Sequence, residues 1–160
     1  MTDIRLRPMT TDEFEAWRPW AVEEYALEDV EHKHVDPDRA RDNMSAFVGS
    51  ALARGPRTEG HRISIVEDAV TGERVGYTWW GDRELDAGPT AWIYDVYIDE
   101  PHRGKGYGRG LMEAVEAQVR EAGLPRMELH VWVSNERARS LYRSLGFEPM
   151  GMEMFKQLED

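Results

Sequence analysis

The chain contains no cysteine. That excludes disulfides, a cysteine-ligated zinc site and an acyl-enzyme on a thiol. No apolar run approaches the length of a membrane span, and the start, MTDIRLRPMT, has no apolar signal core. A soluble, cytoplasmic protein is the expectation. Metal-binding patterns are missing too. His32, His34, His61, His102 and His130 form neither HxxxH nor HExxH, so no metal is expected. Positive charge is scarce: 20 Lys and Arg stand against 31 Asp and Glu, a net charge of −11. This argues against nucleic acid or an anionic membrane as partner and is compatible with a cationic substrate such as an amine. No repeat, low-complexity tract or linker interrupts the 160 residues, so a single domain over 1–160 is expected.

What is present is a series of strand-like and helix-like segments. Ile4–Arg7 alternates and predicts β1, stopped at Pro8. Thr11-Asp12-Glu13 starts α1, whose apolar side is Phe14, Trp17, Val22 and Tyr25; Pro19 is expected to kink or split it. Residues 11–31 hold eight acids and one base, Arg18. They read as a solvated face or, near Tyr25, as a rim that attracts cations. Asp36-Pro37 opens α2, which runs to about Arg54. His61–Val66 predicts β2 and Val75–Trp80 predicts β3, followed by a loop from Gly81 to Pro89. Trp92–Ile98 is β4, residues 105–122 are α3 with Leu111, Val115 and Val119 four apart, and Met127–Val133 is β5.

The densest chemistry lies between β4 and α3. Asp99-Glu100-Pro101 ends the strand, and Arg103-Gly104-Lys105-Gly106-Tyr107-Gly108 follows. A strand, a glycine-rich turn and a helix N-terminus make an anion site, because uncovered amides point outward and the helix dipole favours negative charge. Arg103, Lys105 and Arg109 add positive charge, and diphosphate is the anion expected. The spacing fits neither GxxxxGK[ST] nor GxGxxG. It leaves Arg103-x-x-Gly106-x-Gly108, which by itself is also compatible with a basic surface turn.

A second stretch, NERARSLYRSLGFE at 135–148, puts Ala138, Leu141, Tyr142 and Leu145 on one helical face. This is α4, capped by Ser134 or Asn135 and closed by Gly146. The tail 148–158 reads as two short strands, β6 and β7, around Gly151. Together the two stretches resemble the signatures of the GNAT superfamily of acyl-CoA-dependent N-acyltransferases. They cover roughly a third of the chain. The order β1-α1-α2-β2-β3-β4-α3-β5-α4-β6-β7 matches that fold, an α/β mixed sheet in which the parallel β4 and β5 splay apart.

The resemblance implies acetyl-CoA as co-substrate and direct transfer of its acetyl group to an amine of a small molecule or peptide. It implies that the pantetheine arm pairs with the backbone of Val96, Tyr97 and Ile98, and that the diphosphate rests on the amides of Gly104 to Gly108, Lys105 and Tyr107 included. It places Asn135 and Ala138 beside the coenzyme and makes Tyr142 the general acid at the departing sulfur. A homodimer is also compatible with the family. The base is open: Asp95, a charge inside an apolar strand, comes first, against the alternative that it lies on the solvent side of a pleat. Glu24, Glu28 and His130 follow. Tyr25, Trp80 and Tyr94 are further candidates for the acceptor pocket. A non-catalytic acyl-CoA-binding domain with a sensing or scaffolding role is the competing function, which an intact Tyr142 disfavours.

Overall fold

The computed structural model describes residues 2–159. The elements are β1 Ile4–Pro8, α1 Thr11–Lys33, α2 Pro37–Ala51, β2 His61–Asp68, β3 Arg74–Leu85, β4 Gly88–Ile98, α3 Tyr107–Glu121, β5 Met127–Leu129 and α4 Glu136–Ser144. Five strands form one sheet in the order β1-β2-β3-β4-β5, antiparallel except for the parallel β4/β5 pair. The expected mixed α/β sheet is therefore present. Helices α1 and α2 cover one face, where Phe14, Trp17, Val48, Tyr77 and Trp79 are buried together. Helix α3 covers the other with Leu111, Val115 and Val119 against Val75, Trp80 and Ile93.

Local chemistry accounts for several boundaries. Thr10, not Thr11, caps α1: its hydroxyl accepts from the Glu13 N–H at 3.2 Å, and the Glu13 carboxylate accepts from the Thr10 N–H at 2.8 Å. Pro19 does not split α1. It sits on the exposed side with Glu15, so the carbonyl left without its helical donor faces water. The loop expected at 81–89 is instead a hairpin: β3 and β4 stay paired out to Leu85↔Gly88, where Gly88 adopts a φ of 96°.

Two irregularities shape the centre of the sheet. Trp79 pairs with Asp95 and Trp80 with Ile93, which leaves Tyr94 as an extra residue on β4. This bulge breaks the alternation. Ile93 and Val96 belong to the α3 face, whereas Tyr94 stacks on Trp79 at 4.3 Å and the Asp95 carboxylate meets tyrosines of the α1 face. Next to it, the β4/β5 ladder stops at Ile93↔Leu129, and β4 runs on to Ile98 paired with β3 alone. β5 is shorter than expected because His130–Val133 diverge from β4, which opens the splay.

The tail corrects the expectation of β6 and β7. Residues 148–159 join no ladder, and among the described residues the outer edge of β5 has no partner strand. The tail has no β-branched residue and includes Pro149, which cannot donate, so its intrinsic strand preference is weak. Met150, Met152, Met154 and Phe155 are exposed along it, Met154 by 87%.

Candidate active site

The loop expected to bind an anion is built by two left-handed glycines, Gly104 at φ 76° and Gly106 at φ 88°. Gly106 is the N-cap of α3 and offers no side chain, whereas Thr10, Asp36 and Asn135 cap the other α-helices with theirs. The first-turn N–H groups of α3 are therefore left for another acceptor. Thr2 pins the loop by donating to the Lys105 carbonyl at 3.0 Å. Gly108 packs under Leu141, which brings the start of α3 against α4.

The cations are not equally available. Arg103 lies over the Tyr97 ring at 5.2 Å and donates to the Ile98 carbonyl at 2.8 Å. Arg109 donates to the Ser144 hydroxyl. Lys105 enters no side-chain bond among the described residues, and neither does Arg137, which reaches from α4 to 3.6 Å from where a Cβ on Gly104 would stand. Arg137 was not singled out from sequence, since nothing in its spacing separates it from the other arginines of α4. The Tyr107 side chain donates to Asp68 Oδ2 at 2.7 Å, so of Tyr107 only the amide is left to serve the loop.

The second cluster lies where the strands part. Tyr25 Oη donates to Asp95 Oδ2 at 2.5 Å, and Tyr77 Oη donates to the same oxygen. Asp95 is thus held beneath α1, not on a solvent-facing pleat. Burial pushes its carboxyl up to about 6, against the opposing effect of the two phenols, and the charge of Glu28 adds to the rise. Tyr142, partly buried beside Phe147, is pushed up to about 12, first by burial and then by the Asp95 charge. The Tyr142 hydroxyl makes no hydrogen bond to another described residue.

Glu28 stands at the same mouth. Burial raises its pKa, opposed by the indole N–H of Trp132, which donates to it at 3.3 Å. The Trp132 ring stacks on His32 at 4.3 Å and meets His130 edge-on at 4.6 Å, tying the end of α1 to the segment after β5. His130 is exposed and contacts Trp132, outside the Asp95 cluster. Glu24 is half-buried on α1, and Tyr94 lies between Trp79 and Phe47.

Trp80 requires correction as a pocket residue. It is fully buried on the α3 face, where its indole N–H donates to Gln118 at 3.0 Å, because alternation sends adjacent residues to opposite faces. Asn135 uses its Oδ1 to accept from the Ala138 N–H at 3.1 Å, so that atom is a helix cap. Tyr77 and Trp132 were missed. Tyr77 could have been placed with Trp79 by its i, i+2 spacing, but its pairing with Asp95 depends on the bulge. Among the described residues, no group of three or more His, Asp or Glu side chains could hold a metal ion, and no helix is long and apolar enough to cross a membrane.

The chain is similar to known proteins over most of its length. Residues 9–147 fit the sequence profile of the Acetyltransferase (GNAT) family. Two Bacillus subtilis (strain 168) proteins described as uncharacterised N-acetyltransferases are similar over nearly the whole chain. YycN is 31% identical over 155 residues, covering 97% of this chain and 99% of its own, and YdgE is 30% identical over 154 residues, covering 96% and 97%. The crystal structure of YycN superposes with a TM-score of 0.89 at 30% identity, over 98% of this chain and 99% of that one. AAC(6')-Iy, solved with the bisubstrate analogue CoA-S-monomethyl-acetylneamine, shares the fold at a TM-score of 0.61 and 19% identity, over 100% and 99% of the two chains. The chain belongs to the GNAT family and is an acetyl-CoA-dependent acetyltransferase.

Proposed function

We propose that the protein transfers the acetyl group directly to a primary amine, with Asp95 as base and Tyr142 as acid. The observation that carries this reading is the bulge at Tyr94. It turns the Asp95 carboxyl out of regular alternation and onto the phenols of Tyr25 and Tyr77, at the point where β4 loses its β5 partner. Acetyl-CoA supplies the activated acetyl group as a thioester. The uncapped N-terminus of α3, with Gly104, Gly106 and the unengaged Lys105 and Arg137, suits its diphosphate. The open edge of β4 from Tyr94 to Ile98 suits the backbone pairing of an extended amide arm.

The proton movements balance within this pair. The ammonium form of the substrate gives a proton to Asp95, directly or through water, and the amine nitrogen then bonds to the carbonyl carbon. When the C–S bond breaks, Tyr142 donates to sulfur and is reprotonated by the second proton of the bonded nitrogen, carried through water, while Asp95 releases its own proton to solvent, so one proton is released per amide formed. Protonation of Asp95 removes the charge that holds the Tyr142 proton, so the base step makes the acid stronger when it is needed.

Two measurements test the proposal. Thiol release from acetyl-CoA should depend on an added amine across a panel of cationic and neutral acceptors. Glu24 and Glu28 at the mouth favour the cations, so kcat/KM should fall as salt rises, because exposed charges are screened over ~10 Å at 0.1 M. No amine-dependent release across the panel would overturn the choice of a primary amine as acceptor, and a neutral best substrate with a flat salt response would return those acids to a solvated face. Gly106→Val is a third check. A β-branched residue at φ 88° is strained, and its Cβ would meet Thr2 Oγ1 at 3.2 Å. CoA affinity should fall at least tenfold by calorimetry, and unchanged affinity in a folded variant would remove this loop from the site.

A further inference from the structure

We infer that Asp68, at the end of β2 and remote from the reacting atoms, is a positioning residue that sets the coenzyme's diphosphate loop through Tyr107. The inference rests on the proposed reading of that loop. Asp68 works in two directions. Its Oδ1 accepts from the N–H groups of Val70 and Thr71, each at 2.9 Å, and so folds the β2–β3 turn. Its Oδ2 accepts from Tyr107 Oη at 2.7 Å. Tyr107 directly follows Gly106 and is the first residue of α3. Its ring packs with the α3-face core and stands edge-on to His102 at 5.9 Å.

Two more links join the same segments. His102 Nε2 lies 3.5 Å from Glu73 Oε1, and Arg74 donates to Asp99 Oδ2 at 3.2 Å. The β2–β3 turn is thereby stitched to the loop at its start, middle and end. The need for this follows from the glycines. Gly104 and Gly106 give the loop the left-handed turns it requires, but they also leave it the widest choice of other conformations. Amides bind an anion well only if they already point at it, and ordering them on binding weakens affinity. The Asp68–Tyr107 bond fixes the first helical residue after Gly106, and with it the direction of the first-turn N–H groups. The Asp68 carboxyl is held down to about 2, chiefly by Tyr107, so the link persists through the neutral range.

The test separates loop placement from general stability by changing the donor. Asp68→Asn should weaken CoA binding about tenfold by calorimetry, the order expected for one hydrogen bond to a charged group. Tyr107→Phe removes the same bond without touching the turn and should show the same loss. The double variant should lose no more than either alone. With acetyl-pantetheine, which has no diphosphate, kcat/KM of Asp68→Asn should change less than twofold. Unchanged CoA affinity in the folded variants, or equal losses with both donors, would overturn the inference and leave Asp68 a turn former. A wild-type protein that fails to bind CoA would overturn the coenzyme reading itself, and this inference with it.

Discussion

Asp95→Asn is expected to lower kcat/KM by roughly 10²–10⁴, the usual contribution of a general base, and to remove the acid limb of the pH profile. In the wild type that limb should have its midpoint near 6, where burial places the Asp95 carboxyl. Activity requires the ionised form, so it rises with pH through that value. Stability should move the other way. The carboxyl has an ordinary value of 3.8 and a folded value of about 6, so the folded state binds the proton more tightly than the unfolded chain does. Between those values the native state holds more protons, and the slope of stability with pH is negative. The ionised carboxylate is therefore a burden on the fold that is absent below 3.8 and complete above about 6. An asparagine keeps the shape, its amide oxygen can accept from Tyr25 and Tyr77, and it has no charge to desolvate. The variant should melt at or above the wild-type temperature at pH 7.5 while turning over far more slowly. A fivefold or smaller loss with the acid limb intact would move the base to Glu24, Glu28 or His130.

The parts legible from sequence are those where one residue type is needed at one place. Gly104 and Gly106 stand at left-handed dihedrals, and Ala138, Leu141, Tyr142 and Leu145 lie on the half-buried side of α4 and its C-cap, as helical spacing requires. The parts that were not legible depend on pairing. Trp79 and Trp80 are chemically alike, and alternation says only that they part, not which of them faces the acid. Tyr94-Asp95 reads as ordinary alternation, since a bulge exists only relative to the partner strand. The tail alternates apolar and polar residues as a strand would, yet Met150, Met152 and Met154 lack the branched side chains that stiffen one. The charges were hardest to sort. Arg103, Arg109, Lys105 and Arg137 look equivalent in sequence, and only their partners in the fold distinguish engaged from available.

Tyr142→Phe should lower kcat by roughly 10²–10⁴ with little change in CoA affinity or melting temperature. The fold should be indifferent, because the ring packing with Phe147 is kept and the lost hydroxyl bonds no other described residue. The chemistry should not be. A thiol has a reference pKa of about 8.5 and an unperturbed phenol about 10, which makes the proton transfer look nearly matched. The structure changes that balance: burial and the Asp95 charge lift Tyr142 to about 12. The phenol is therefore fully protonated at neutral pH but a weaker acid than the thiol it serves. It becomes effective only as the C–S bond breaks and as Asp95 takes up the amine proton. That dependence predicts coupling. The Asp95→Asn/Tyr142→Phe double variant should lose less than the product of the two single losses, as residues acting as a unit do. Asp95→Asn alone should also bring the Tyr142 titration below 12, readable from the ultraviolet absorbance of the phenolate against the Tyr142→Phe background. A loss of kcat under about fivefold, too small for a general acid, would make Tyr142 a packing aromatic and leave protonation of the sulfur to water.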